Sequence, residues 1–87
     1  MADTPSYQVD LSGNLAIQAG RSRLHLAGPP GSTLVAGDLR KLAAAEVPEL
    51  APLIEGSLVV ADDRILGSAE PVPQSARLSL VPPVSGG

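Results

Sequence analysis

Cysteine, tryptophan and phenylalanine are absent from this chain, and Tyr7 is its only aromatic residue. Without cysteine there is no disulfide framework, no thiolate nucleophile and no Cys-ligated metal, which fits a reducing compartment. Near-absence of aromatics removes any platform on which bases could stack. The basic residues Arg21, Arg23, Arg40, Lys41, Arg64 and Arg77 are scattered rather than run together, so nucleic acid is not an expected partner. No apolar run approaches the roughly 20 residues of a membrane span. Met1 to Ser6 carries Asp3 and Pro5 and lacks the apolar core of a signal peptide. A protein of the cytoplasm, bound to no membrane, is expected.

What remains is aliphatic. Leu, Ile and Val supply 24 of 87 residues, above the roughly 20% below which disorder is the default. One small domain with an aliphatic core is expected, of modest stability because a short chain buries only about 60–65% of its unfolded surface. The net charge of −3 suits a mildly acidic carrier that meets basic surfaces.

Periodicity places the elements. Tyr7-Gln8-Val9-Asp10-Leu11 alternates apolar and polar, predicting a strand with Tyr7, Val9 and Leu11 inward. Leu15 to Ala19 predicts one helical turn stopped by Gly20. Arg21 to Leu26 alternates again with Leu24 and Leu26 inward, and Gly28-Pro29-Pro30-Gly31 breaks the chain. Val35, Leu39, Leu42 and Ala43 form one apolar stripe at helical spacing. Ser32 or Thr33 is expected to cap that helix, Gly37 to disturb its first turn, and Pro48 to end it. A short turn of helix is expected at 50–54. The apolar run Ser57 to Ala61 predicts a central strand, Asp62-Asp63 a turn, and Arg64 to Leu66 a short edge strand. Gly67 to Ser75 reads as a loop. Ala76 to Val81 alternates with Leu78 and Leu80 inward and Arg77, Ser79 and Val81 outward. One helix laid across a mixed sheet buries one face of each.

Few residues inside that fold suggest chemistry. His25 falls on an outward strand position with no evident acid partner and reads as a surface residue. Asp62-Asp63 reads as a turn former rather than a metal or acid–base pair. Gly28 to Thr33 precedes a helix as a phosphate loop would, but prolines remove the N–H donors that phosphate needs. No serine is accompanied by a recognisable base.

The tail Val81-Pro82-Pro83-Val84-Ser85-Gly86-Gly87 is the candidate site. Pro82-Pro83 stiffens the exit from the last strand, and a stiff stalk loses little entropy on binding. Residues 82–87 span roughly 20 Å when extended, enough to thread a partner's tunnel. Gly86 and Gly87 pass where a β-carbon would clash and leave the terminal carbonyl open to attack. The expected division is a domain over 1–81 and an extended tail over 82–87.

On these features the chain resembles the ubiquitin-like sulfur carriers of the β-grasp fold, and most closely the small subunit of molybdopterin synthase. The similarity runs through Leu15-Ala16, Ala19-Gly20, the second strand, the Pro/Gly turn, the helix, Pro48-Glu49-Leu50 and the ending from Val81 to Gly87. It implies an α+β fold with a four- to five-stranded mixed sheet and one main helix. It also implies that a partner adenylyltransferase, similar to ubiquitin-activating enzymes, uses ATP and Mg to adenylate the Gly87 carboxylate. A sulfur donor then converts it to a thiocarboxylate. The tail next enters the large synthase subunit, in a heterotetramer, and delivers sulfur to cyclic pyranopterin monophosphate. In that scheme Gly87 carries the sulfur, Gly86 grants access, and Val81, Pro82, Pro83, Val84 and Ser85 contact partners. The chain itself holds no cofactor tightly. Sister carriers for thiamine thiazole, cysteine or tRNA thiolation share the chemistry, and a protein modifier joined to lysines through Gly87 is a further alternative. The chain departs from the family at Pro73-Gln74-Ser75-Ala76, where an acidic Gly-Asp-Glu-type turn is usual, in having no phenylalanine, and in a longer Gly-Pro-Pro-Gly turn.

Overall fold

The computed structural model describes residues 5–28, 33–73 and 76–82. Strand β1 (Ser6–Leu11) and strand β2 (Arg23–Ala27) form an antiparallel pair, joined through helix α1 (Asn14–Ala19). Helix α2 (Ala36–Glu46) follows, then a 3₁₀ turn (Pro48–Leu50) and helix α3 (Ala51–Glu55). Strands β3 (Leu58–Ala61), β4 (Arg64–Leu66) and β5 (Leu78–Val81) complete one sheet in the order β2-β1-β5-β3-β4. β5 runs parallel to β1 and antiparallel to β3. A mixed sheet gripping one principal helix is the β-grasp arrangement that the resemblance implies.

The alternations decide which face is buried. Tyr7, Val9 and Leu11 of β1, Leu24 and Leu26 of β2, and Leu78 and Leu80 of β5 all lie in the core. There they meet Leu39, Ala36, Ala43 and Ala44 of α2, with Leu50 and Ile54 beyond. Leu42 of the predicted stripe packs partly buried at the margin of that core. α1 ends as expected: Gly20 is left-handed (φ 71°) and donates its N–H to the carbonyls of Ala16 and Ile17. α2 stops at Glu46, before Val47, which has the extended φ that a following proline imposes. The short helical turn expected at 50–54 is α3, preceded by its 3₁₀ turn.

Three expectations need correction. The start of α2 has no side-chain cap; Val35 occupies the cap position in an extended conformation, and Thr33 does not fill that role. The orphan donors of the first turn go instead to the β4–β5 loop. Ala36 N–H donates to the Glu70 carbonyl at 3.0 Å, and Gly37 N–H donates to the Ser68 carbonyl at 2.9 Å. A backbone segment replaces the capping hydroxyl. Ser32 lies outside the described residues. Gly37 does not disturb the turn either: the helix runs unbroken from Ala36, and Leu39 N–H closes its first turn on the Val35 carbonyl at 3.0 Å. A Cβ at Gly37 would stand 3.2 Å from the Ser68 carbonyl oxygen. Its absent side chain admits the loop.

The third correction concerns β3. It is interior but lies beside the edge strand β4, and β5 takes the middle of the sheet. Val59 and Ala61 are buried, whereas Leu58 is 42% exposed and Val60 half-buried. Its continuous apolar run therefore reports a one-sided strand whose outer face is also apolar.

Arg40 ties three layers together. It donates from α2 to the Ser57 carbonyl at 3.0 Å and to the Ser68 hydroxyl. Ser57, the buried polar residue of the described core, donates its hydroxyl to the Leu53 carbonyl at 2.8 Å.

Candidate functional site: the tail exit and the sheet face beside it

The chain leaves the sheet from its middle strand. At the end of β5, Val81 is paired with Leu58 of β3, and on the other side Ser12 N–H donates to the Leu80 carbonyl at 3.1 Å. The strand that carries the tail is thus bonded along both sides. It cannot peel away as an edge strand can. Val81 and Pro82 are both half-buried. Pro83, Val84, Ser85, Gly86 and Gly87 lie outside the described residues.

Register lays out the outer face, the one turned away from α2. Arg23, Asp10, Ser79, Val60 and Ile65 stand in one row across all five strands. Val81 and Leu58 form the neighbouring row toward the tail. The face divides chemically. Its β2 and β1 half is polar, with Arg23, His25, Gln8 and Asp10. Its β3 and β4 half is apolar, with Leu58, Val60 and Ile65 beside Val81. Leu58 and Ile65 are exposed at 42% and 58%. Contiguous exposed aliphatics of this kind mark interaction surfaces more often than single ones do.

Because β1 and β5 run parallel and Leu11, the last residue of β1, lies opposite Leu80, α1 follows β1 at the tail's end of the sheet. Ile17 of α1 is exposed at 78% there. The outward position of Val81 agrees with the sequence reading; Leu58, Val60, Ile65 and Ile17 were not singled out by it. Their signal was present in the sequence. An apolar run that does not alternate, followed by Ile65 on a strand of three residues, leaves aliphatics with no inner face to occupy.

The opposite end of the outer face is polar. A shallow basin of about 560 Å³ is lined by Gln8, Asp10, Arg23, Asp62, Asp63 and Arg77 among others. Arg23 donates to Asp10 at 2.8 Å, an exposed pair that contributes at most about 1 kcal/mol. Asp62 shapes the β3–β4 turn with positive φ (55°), and its carboxylate accepts the Arg77 N–H at 3.1 Å. That is the turn role expected of Asp62-Asp63. His25 is exposed, as expected, and sits across from Gln8. Among the described residues no three His, Cys, Asp or Glu converge as a metal site requires, and no helix is long and apolar enough to cross a membrane.

Sheet order, parallel β1 and β5, and the gripped helix define a β-grasp, ubiquitin-like fold. The chain is similar to a solved structure, SAMP1 from Haloferax volcanii, with a TM-score of 0.75 and 22% identity over 94% of this chain and 99% of that one. No known family model matches the sequence, and no curated protein matches it.

Proposed function

We propose that the chain is a sulfur carrier whose working group is the Gly87 carboxylate, acting as the small subunit of a molybdopterin synthase. One observation supports this reading above the others. The tail is continuous with β5, the strand paired on both sides at the centre of a ubiquitin-like sheet, so its root is held where a partner can draw the tail inward.

The chemistry follows from a carboxylate carried on two successive glycines. A partner adenylyltransferase, using ATP and Mg, joins the Gly87 carboxylate to AMP and releases pyrophosphate. The acyl phosphate makes the carbonyl electrophilic, and a sulfur nucleophile displaces AMP to leave a thiocarboxylate. Glycine at 86 and 87 adds no β-carbon to the attack path, and the sequence Pro82-Pro83 favours an extended stalk. The tail then enters the large synthase subunit and gives its sulfur to cyclic pyranopterin monophosphate. Catalytic side chains belong to the partners. Pro82, Pro83, Val84 and Ser85 line the tunnel contact, and Val81 with Leu58, Val60 and Ile65 supplies the docking face. The absence of cysteine fits work in a reducing compartment, the cytoplasm.

Intact mass tests it. Incubation with an adenylyltransferase of this type, ATP, Mg and a sulfur donor should add about 16 Da at the C-terminus, as OH becomes SH. Sulfur transfer to the pterin precursor with the large synthase subunit should then restore the original mass. An unchanged mass under conditions that load a known carrier overturns the reading. Lysine-linked adducts without a thiocarboxylate would make the chain a protein modifier instead.

A further inference from the structure

The hairpin of β3 and β4 carries three of the four aliphatic residues on the outer apolar patch, Leu58, Val60 and Ile65. Its hold on the rest of the fold is uneven. β3 pairs with β5 over four residues, whereas β4 offers three residues and pairs with β3 alone. Val59, Ala61 and Leu66 are its anchors in the core. What fixes the hairpin against α2 is polar, and it lies at the two feet. Ser57 stands just before β3, and Ser68 stands two residues after β4.

Ser57 is buried, and each of its polar groups has a partner. Its N–H donates to the Ile54 carbonyl at 3.0 Å, and its hydroxyl donates to the Leu53 carbonyl at 2.8 Å. Its carbonyl accepts from Arg40 Nη1 at 3.0 Å. Arg40 Nη2 donates to the Ser68 hydroxyl, while the Ser68 carbonyl takes the Gly37 N–H. Among the described residues, Arg40 is the one side chain bonded to both feet. A guanidinium is planar and its donors form a rigid fork. The two bonds therefore fix the separation of the feet as well as their place against α2. Leu58 follows Ser57 directly, and Ile65 lies three residues before Ser68. A residue on the helix side of the sheet thus governs side chains on the other side.

We propose that Arg40 is a positioning residue for docking: by clipping both feet of the β3–β4 hairpin, it holds Leu58, Val60 and Ile65 beside Val81 at the root of the tail. Arg40 is bonded to none of these four residues and acts through the backbone of the hairpin. The proposal rests on the reading of the apolar patch as the face that meets the adenylyltransferase. Without the guanidinium the hairpin is free to shift, and a partner must order it again on binding. That ordering costs affinity. It does not change the chemistry at Gly87, so binding and turnover should respond differently.

The test compares Arg40→Met and Arg40→Lys with Ala45→Gly, which weakens the same helix at an exposed position and removes no bond to either foot. Amide hydrogen exchange of the free, full-length chain comes first. Arg40→Met should speed exchange in β3 and β4 about tenfold relative to β1 and β2, as a local opening does. Ala45→Gly should leave that ratio unchanged. Steady-state loading by the adenylyltransferase follows, at a temperature where every variant is folded. Arg40→Met should raise the KM for the carrier about tenfold with kcat unchanged, which marks lost binding rather than lost chemistry. Arg40→Lys keeps the charge and loses the fork, so its KM should fall in between; it decides the matter if Arg40→Met does not fold. Uniform acceleration of exchange across the sheet overturns the proposal. So does a wild-type KM in both Arg40 variants, or an equal rise of KM in Ala45→Gly. A wild-type chain that never loads counts against the carrier reading instead, and the exchange ratio alone then decides whether Arg40 positions the hairpin.

Discussion

Val81 and Leu58 stand opposite each other across β5 and β3, at the point where the chain turns from sheet to tail. Leu58 is 42% exposed and Val81 half-buried, so two aliphatic side chains meet solvent where the strand gives way to the tail. Water contact with such a pair is unfavourable by roughly 25 cal/mol for each Å² of apolar surface. A partner that covers them recovers that energy while it holds the tail.

Val81→Asp and Leu58→Asp are each expected to weaken binding to the adenylyltransferase or the large synthase subunit by about tenfold or more. Both residues face outward, so unfolding should shift by no more than the roughly 1 kcal/mol spanned by strand propensity. Calorimetric titration beside urea denaturation separates the two effects. Normal binding by Leu58→Asp would move the docking face elsewhere.

The tail gives a prediction of the opposite kind. Deleting Gly87, or replacing Gly86 by valine, should abolish loading in the mass assay and leave thermal unfolding unchanged. Adding one residue after Gly87 should do the same, because the carboxylate then sits one residue, roughly 3.5 Å, beyond its expected place. Loading that survives all three changes would place the reactive group elsewhere.

Local chemistry made much of this architecture legible. Alternation at Tyr7, Val9 and Leu11, the left-handed stop at Gly20 and the break before Pro48 depend on neighbours in sequence, and each appears where expected. The cap of α2 does not. Its partners, Ser68 and Glu70, lie some thirty residues downstream, and no local pattern announces a carbonyl delivered by a distant loop. Strand order was hidden for a similar reason. The run from Leu58 to Ala61 carries apolar residues on both faces, and sequence does not distinguish a strand buried twice from one beneath an apolar docking face. Val81 was legible as outward because β5 alternates; Leu58, Val60 and Ile65 join it only when the register brings β3 and β4 alongside.

Arg40 should matter to stability more than its partly exposed position suggests. Its guanidinium satisfies the Ser57 carbonyl at 3.0 Å and reaches the Ser68 hydroxyl, binding α2 to both the start of β3 and the capping loop. Arg40→Met keeps much of the aliphatic length and leaves the Ser57 carbonyl without that donor. A loss of about 1–3 kcal/mol is expected, or about 4–8 °C in melting temperature for each kcal/mol at this chain length. Calorimetry checks it, and an unchanged melting temperature would mean that water replaces the guanidinium without penalty.

Gly37→Ala sets two effects against each other. Alanine favours a helix interior over glycine by about 1 kcal/mol, which alone predicts a more stable protein. The added Cβ, however, meets the Ser68 carbonyl oxygen at 3.2 Å, and that oxygen has little freedom to retreat. Gly37 N–H holds it, Arg40 holds the Ser68 side chain, and Glu70 closes the loop by accepting from Gly67 N–H at 2.9 Å while its own carbonyl takes the Ala36 N–H. The loop must shift as a unit, stretching bonds that cap the first turn of α2. The expected result is a net destabilisation of about 1 kcal/mol, at the lower end for overpacking a close contact. Urea midpoints compared with those of Ala45→Gly, at an exposed site on the same helix, isolate the contact from propensity. Stabilisation by Gly37→Ala would show that the loop yields, and that glycine at 37 is not required by its approach.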